Sequence, residues 1–317
     1  MAQIKEKPLL SICIPIYNRL SYLERMLERF YEEKELFDSK IELFISDNCS
    51  EDDLQSCCNR FSEMGLRLNY HRNDTNLGMD GNFINCFKYA NGKYCWVLGS
   101  DDIPVHGLLG RLIKFLDEGD YGLVHLSMKQ RDSSMQIYDN HDEILANVGY
   151  WITYLSGNVI KTDTLANIDL NQYKGTYISQ VPAYLNACCA CRNNAIIYQD
   201  KFFVGDDDSL NNGGYNIFRV FVENLFGIYQ QFVDNGLMAQ SSFEMIKKAE
   251  YRTFLVHFVV DLLILQKARR KNFDLSDAWS ILRRHYGRYL YFYYYTSKML
   301  FSRIVKGGAK KVLRLFS

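Results

Sequence analysis

Nowhere in this 317-residue chain do about eighteen uncharged apolar residues run together, so no membrane-spanning helix is expected. The polar start, MAQIKEKP, lacks the apolar core of a secretory signal. Glycines never take the G-x-G-x-x-G spacing, and G-x-x-x-x-G-K-[ST] is missing. Neither a dinucleotide fingerprint nor a P-loop is therefore present. The cysteines are odd in number, nine, and Cys188, Cys189 and Cys191 have no second Cys/His pair at zinc-site spacing. They read as free thiols of a reducing cytoplasm, buried as small hydrophobes. No RNA- or DNA-binding motif occurs, so nucleic acid is not an expected partner.

Net charge is missing too, with 37 basic residues against 37 acidic, but the balance conceals an asymmetry. Residues 267–317 carry thirteen lysines and arginines and only Asp274 and Asp277 as acids. A basic tail on an acidic body suggests a partner with an anionic surface. Its basic residues interleave with Tyr, Phe and Leu, the pattern of an interfacial helix on an anionic bilayer. Ahead of it, residues 241–268 read as one amphipathic helix whose apolar middle is too short to span. His257 within it reads as a core or boundary histidine.

The first half alternates strand and helix. LLSICIPI at 9–16 is a β-branched run without charge, as in a strand buried on both faces. A helix follows, with Leu20, Leu23, Leu27 and Phe30 on one side and Ser21/Glu24 placed as a capping box. IELFIS at 41–46 is the second strand, followed by a helix that Ser50 and Asp53 can cap. LRLNYH at 66–71 is the third. A helix with Phe83, Cys86, Phe87 and Ala90 on its apolar face ends at Asn91-Gly92. This spacing argues for a parallel, helix-covered sheet, whose ligands bind outside the carboxyl ends of the strands. Polar clusters sit at those ends: Tyr17-Asn18-Arg19, Asp47-Asn48, Arg72 to Gly78, and Gly99 to Asp102.

The last of these closes KYCWVLGSDD, residues 93–102, in which an apolar strand delivers two adjacent carboxylates into a loop. Such a pair is costly unless a cation meets it, which suggests a divalent metal held against a diphosphate. A polar turn capping the next helix is the plainer alternative.

Taken in order, P-I-Y-N-R at 15–19, I-S-D-N-C-S at 45–50, N-L-G at 76–78 and G-K-Y-C-W-V-L-G-S-D-D at 92–102 resemble an inverting family 2 glycosyltransferase with the GT-A fold. The W-x-L-G-x-D-D form and the later G-G-Y-N-x-F segment are similar to enzymes of bacterial O-antigen or other surface polysaccharide synthesis, of the abequosyltransferase type. The resemblance implies a nucleoside-diphosphate sugar donor and a saccharide or lipid-linked acceptor. It further implies an α/β fold with a mainly parallel sheet, divided into a nucleotide-sugar half (1–120), an acceptor half (121–235) and a basic helical extension (236–317). The protein would then lie at the inner face of a bacterial membrane.

By the same resemblance, Pro15 and Tyr17 line the base pocket, with Asn18 beside them. Asp47 accepts from the base or ribose, and Arg19 reaches the phosphates. Asn76, Gly78 and Asn82 close the crevice. Ser100 and Asp101 face the donor, and Asp101 and Asp102 hold Mg²⁺ or Mn²⁺. One departure stands out: Gly99 occupies a position where the family commonly has Asp. The family's Glu-Asp base motif is also missing. Asp207, with Asp206 or Asp208 as substitutes, is the candidate base, and Asp142 and Glu143 are poorer ones. Ser156, Gly157 and Asn158 form either part of the acceptor wall or a turn. Residues 121–127, 134–138 and 149–161 would build a smaller mixed sheet. Nucleotidyl transfer and a non-catalytic binding subunit at the membrane are the alternative readings of the same residues.

Overall fold

A computed structural model describes residues 7–129, 131, 133–205, 214–267 and 272–313, without the side chains of 306–313. The chain divides into two compact units, Met1–Asp206 and Asp207–Ser317. In the first, β1 (Leu10–Ile16), α1 (Leu20–Tyr31), the single turn α2 (Leu36–Ser39), β2 (Ile41–Asp47), α3 (Leu54–Glu63), β3 (Asn69–Arg72), α4 (Gly78–Tyr89) and β4 (Tyr94–Val97) follow the alternation read from the sequence. After them come β5 (Ile103–Pro104), α5 (Leu108–Asp117), β6 (Leu123–Ser127), β7 (Met135–Tyr138), α6 (His141–Val148), β8 (Asn158–Lys161), α7 (Val181–Ala190), β9 (Asn194–Tyr198) and β10 (Phe203–Val204).

The main sheet runs β3-β2-β1-β4-β8-β6-β9-β7, and β5 pairs with β10 in a separate ribbon. β1 to β4 are parallel to one another, β8 is antiparallel to both β4 and β6, β9 is parallel to β6, and β7 is antiparallel to β9. Six strands therefore share one direction. β6 ends at the same edge of the sheet as β4, with only β8 between them.

The core is built on the two-residue period of β1. Leu10, Ile12, Ile14 and Ile16 pack with Leu23, Leu27 and Phe30 of α1, Cys58 and Phe61 of α3, and Leu109 and Leu112 of α5. Cys13, Cys86 and Cys95 meet on the opposite face. Burying each of these aliphatic side chains is worth about 1.5–3 kcal/mol. None of the nine cysteines forms a disulfide.

Three local expectations change. The third strand begins at Asn69 because Gly65, at φ 97°, ends the preceding helix and Leu66 is already buried beneath it. The Ser21/Glu24 capping box does not form; Asp52, from the turn after β2, accepts the Leu20 N–H at 3.0 Å instead. Asp53 does cap α3, accepting from Ser56 N. The expected smaller sheet is a continuation of the main one, because β8 inserts beside β4 and carries β6, β9 and β7 with it.

The second unit is helical. A π-helical stretch, Arg219–Asn224, runs into α8 (Leu225–Asp234). Asn216 caps it, accepting from the N–H groups of Phe218 and Arg219. The expected helix over 241–268 is α9 (Gln240–Glu250), a π-helical stretch (Tyr251–Leu255), the short α10 (Val256–Phe258) and a second π-helical stretch (Val259–Ile264). α11 (Ala278–Tyr286) and α12 (Leu290–Leu313) complete the unit. Lys247 is buried, its ammonium facing the rings of Phe226, Phe243, Tyr286 and Tyr289 at 5.0 to 5.7 Å. His257 sits beside Arg303, which also bonds Asp261 at 2.9 Å. Among the described residues no helix is long and apolar enough to cross a membrane.

Candidate active site

The site begins with a proline in a central strand. The Cys13 carbonyl accepts from Leu98 N–H, so the same edge of β1 two residues later belongs to Pro15, which has no N–H to offer. The β1–β4 ladder accordingly ends at Cys13↔Val97. β4 turns away into Gly99–Asp102, and a gap opens at the carboxyl edge of the sheet.

Beyond Pro15, Tyr17 is exposed and Asn18 takes a left-handed φ of 50°. Asn tolerates that conformation through local hydrogen bonds. Asn18 N–H donates to Ser50 Oγ at 3.0 Å, and its side-chain oxygen accepts from Glu51 N at 2.7 Å. The turns after β1 and β2 are thus clasped together.

Asp47, at the end of β2, is fully buried. It accepts from Ser50 N (2.9 Å), Tyr70 Oη (2.6 Å) and Arg72 Nη1 (3.1 Å). Burial alone pushes its carboxyl pKa up, but the bonds from Ser50, Tyr70 and Arg72 outweigh it and hold the group below the usual carboxylate range. The structure buries Asp47 at the end of β2, with both oxygens already held by protein donors.

The other crevice residues form an amide network. Asn48 donates to Asn76 Oδ1 (2.8 Å) and Gly78 O (3.2 Å) and accepts from Leu77 N (2.9 Å). Asn82 is buried, accepting from Ser46 Oγ and Asn73 Nδ2 and donating to the Ser46 carbonyl. Asn82 therefore holds the β2 end in place rather than facing the crevice. Asn76 and Gly78 are exposed on its rim, Gly78 at φ 72°. Asp80, at the start of α4, was not singled out by sequence; it accepts from the N–H groups of Gly175, Tyr177 and Ser179 and pins that loop.

At the β4 end, Asp102 Oδ1 accepts from Tyr154 Oη at 2.8 Å and Oδ2 from Ser156 Oγ at 2.6 Å. Ser156 also accepts from Gly99 N at 2.9 Å, and its carbonyl accepts from Trp96 Nε1 at 2.8 Å. Burial raises the Asp102 carboxyl pKa; the two hydroxyls oppose that rise and neighbouring Asp101 adds to it. Asp101 pairs through Oδ2 with Arg19 at 3.3 Å, and Arg19 also reaches the buried Ser100 Oγ at 3.4 Å. Arg19 thus stands against Asp101 and is not an isolated helix-start arginine.

Gly99 shows what the pair can hold. A Cβ there would stand 3.1 Å from Asp101 Oδ1, 3.2 Å from Asp102 Oδ2 and 3.3 Å from Ser156 Oγ. Both carboxylates therefore flank one small space that a third side chain would crowd. Hard oxygen donors of this kind fit Mg²⁺ or Mn²⁺. Among the described residues no third His, Cys, Asp or Glu joins them. Asp206, Asp207 and Asp208 lie outside the described residues. Asp142 and Glu143 stand in the first turn of α6, where Asn140 accepts from their N–H groups, which accounts for acids at that place.

Residues 11–211 match the model of glycosyl transferase family 2. The chain belongs to glycosyltransferase family 2. It is 33% identical over 192 residues to abequosyltransferase RfbV of Salmonella typhimurium, covering 53% of this chain and 57% of that protein. The matched part thus falls short of two thirds of that relative's length. The crystal structure of S. aureus TarS 1-349 superposes with a TM-score of 0.59 at 15% identity, covering 79% of this chain and 74% of that one. TarS 1-349 has also been solved in complex with UDP-GlcNAc. Mannosyltransferase PcManGT from Pyrobaculum calidifontis, in complex with GDP-Man and Mn²⁺, gives 0.53 at 14% identity, covering 96% and 87%. The fold of this family 2 chain is GT-A-like, a mostly parallel mixed sheet flanked by helices.

Proposed function

We propose that this family 2 chain is a metal-dependent, inverting glycosyltransferase that moves a sugar from a nucleoside diphosphate to a saccharide or lipid-linked acceptor of bacterial surface polysaccharide. The observation that carries the reading is the Asp101/Asp102 pair facing one gap beside Gly99, at the edge where β1 and β2 also end. The names of RfbV, TarS and PcManGT support sugar transfer from a nucleotide-sugar donor.

In this reading Tyr17 stacks on the base, and Asp47 fixes Arg72 and the Ser50 turn around it. Asn76 and Gly78 border the nucleotide. Asp101 and Asp102 hold Mg²⁺ or Mn²⁺, which when bound supplies positive charge against the diphosphate. Tyr154 and Ser156 keep Asp102 in place, and Arg19 adds a guanidinium at the phosphates. The acceptor hydroxyl gives its proton to a carboxylate of the Asp206–Asp208 run, Asp207 first. Its oxygen then bonds the anomeric carbon from the face opposite the breaking bond, whose electrons leave with the diphosphate.

α12 leaves Leu290, Tyr293, Tyr294, Phe301, Ile304 and Val305 exposed on a helix that also carries Lys298. That face suits an anionic bilayer at the inner side of the cell membrane. The catalytic reading is tested by nucleoside diphosphate release with Mn²⁺. Asp101→Ala and Asp102→Ala are each expected to lose it about a hundredfold or more while keeping the wild-type circular dichroism. Unchanged release in both variants would overturn the reading.

A further inference from the structure

His125, Leu126, Ser127, Met128 and Lys129, at and beyond the end of β6, enclose a cavity of about 110 Å³ with Trp151 and Tyr154. Its position follows from the sheet. β6 runs with β4 and lies two strands from it, which at about 4.8 Å per strand puts the cavity roughly 10 Å from the acidic pair. The nucleotide crevice at the ends of β1, β2 and β3 lies on the other side of β4. Tyr154 joins the two places physically: its ring lines the cavity while its hydroxyl donates to Asp102.

The lining chemistry is specific. Trp151, partly exposed, and Tyr154 offer aromatic faces of the kind on which sugar C–H groups pack. Ser127 supplies a hydroxyl, which accepts from Lys129 N at 3.3 Å. The Lys129 ammonium donates to the Asn147 carbonyl at 2.9 Å, and among the described residues no carboxylate pairs with it. Desolvation and the nearby Arg131 guanidinium hold its pKa below the usual lysine range. An ammonium with no carboxylate partner among the described residues, beside an aromatic wall, is poised for an anion.

We propose that this cavity seats the acceptor sugar and that the acceptor carries an anionic group, a phosphate or a carboxylate, held by Lys129. The proposal rests on the glycosyl-transfer reading above and adds the acceptor's chemical class to it.

The test uses the full chain and three probes, glucose, glucose 6-phosphate and glucuronate, followed by tryptophan fluorescence in EDTA so that no cation bridges a phosphate to the acidic pair. Wild type is expected to bind at least one charged sugar about tenfold more tightly than glucose, roughly the 1.4 kcal/mol of one charge-assisted contact. The two charged arms distinguish phosphate from carboxylate. Lys129→Gln is expected to abolish the preference and Lys129→Arg to keep it, both with wild-type melting temperatures. Equal binding of all three sugars, or a preference that survives in Lys129→Gln, would overturn the proposal. Nucleoside diphosphate stabilisation with Mn²⁺ is measured on EDTA-free aliquots of the same preparations: its presence without a sugar preference sinks the acceptor class alone, and its absence sinks the parent reading.

Discussion

Replacing Ser156 by alanine probes the acidic pair from beneath. Ser156 is fully buried and its hydroxyl serves two partners, donating to Asp102 Oδ2 at 2.6 Å and accepting from Gly99 N at 2.9 Å. Ser156→Ala removes a hydrogen bond to a charged group and strands the Gly99 N–H. Each loss is worth about 1–3 kcal/mol, so the variant is expected to lose about 2–4 kcal/mol of stability. In a unit of this size that lowers the melting temperature by about 5–15 °C. Tyr154→Phe deletes only the bond to Asp102 Oδ1 and is expected to cost less. The assay is urea denaturation alongside thermal melting, with Mn²⁺-supported turnover on the same preparations. A Ser156→Ala protein that melts within about 2 °C of wild type would refute the reasoning, because a buried donor would then have lost its partner without cost.

Two further outcomes follow. Burial depresses the pKa of His125 to about 4, against an unfolded value of 6.5, with Asn158 only partly opposing the shift. The unfolded chain therefore takes up a proton first as pH falls below 6.5, and stability should drop by about 2 kcal/mol between pH 7 and pH 5. Urea midpoints at the two pH values check this, and a flat response, or an equal drop in His125→Gln, would contradict it. On α12, wild type is expected to co-sediment with phosphatidylglycerol vesicles but not with phosphatidylcholine vesicles. The exposed-face variant Tyr294→Ser/Phe301→Ser/Ile304→Ser should stay in the supernatant, and co-sedimentation equal to wild type would remove the membrane role. Those positions are preferable to a deletion from residue 281, which would take away the buried Ile281, Leu282 and Tyr286.

What could be read in advance was whatever the chain encodes locally. β1, β2 and β4 were legible because strands covered on both faces are uninterrupted apolar runs, and the polar turns that follow them mark the edge of the site. The Asp101/Asp102 pair was legible because it sits next to its strand. The clamp on that pair was only half legible: Ser156 and Tyr154 lie 54 and 52 residues from Asp102 and come to it only because β8 inserts beside β4. No periodicity announces such an insertion. The same insertion turned an expected second sheet into an extension of the first. Asp47 was identified as a site residue but not as a buried one, because Tyr70 and Arg72, which cover it, belong to a strand 23 and 25 residues further on. Lys129 and Trp151 gave no signal at all, since neither belongs to a spacing pattern and the cavity between them exists only in the folded sheet.

The central claim is that Asp101 and Asp102 seat a divalent cation against a nucleoside diphosphate. Its most direct test is thermal stability with UDP, GDP, CDP or dTDP, each with Mn²⁺ and with EDTA, for wild type and Asp101→Ala. One nucleotide at about a hundred times its Kd should stabilise wild type by about 2.7 kcal/mol in Mn²⁺. That gain should shrink markedly in EDTA and in the variant. Stabilisation equal with and without Mn²⁺, or undiminished in Asp101→Ala, would contradict the account.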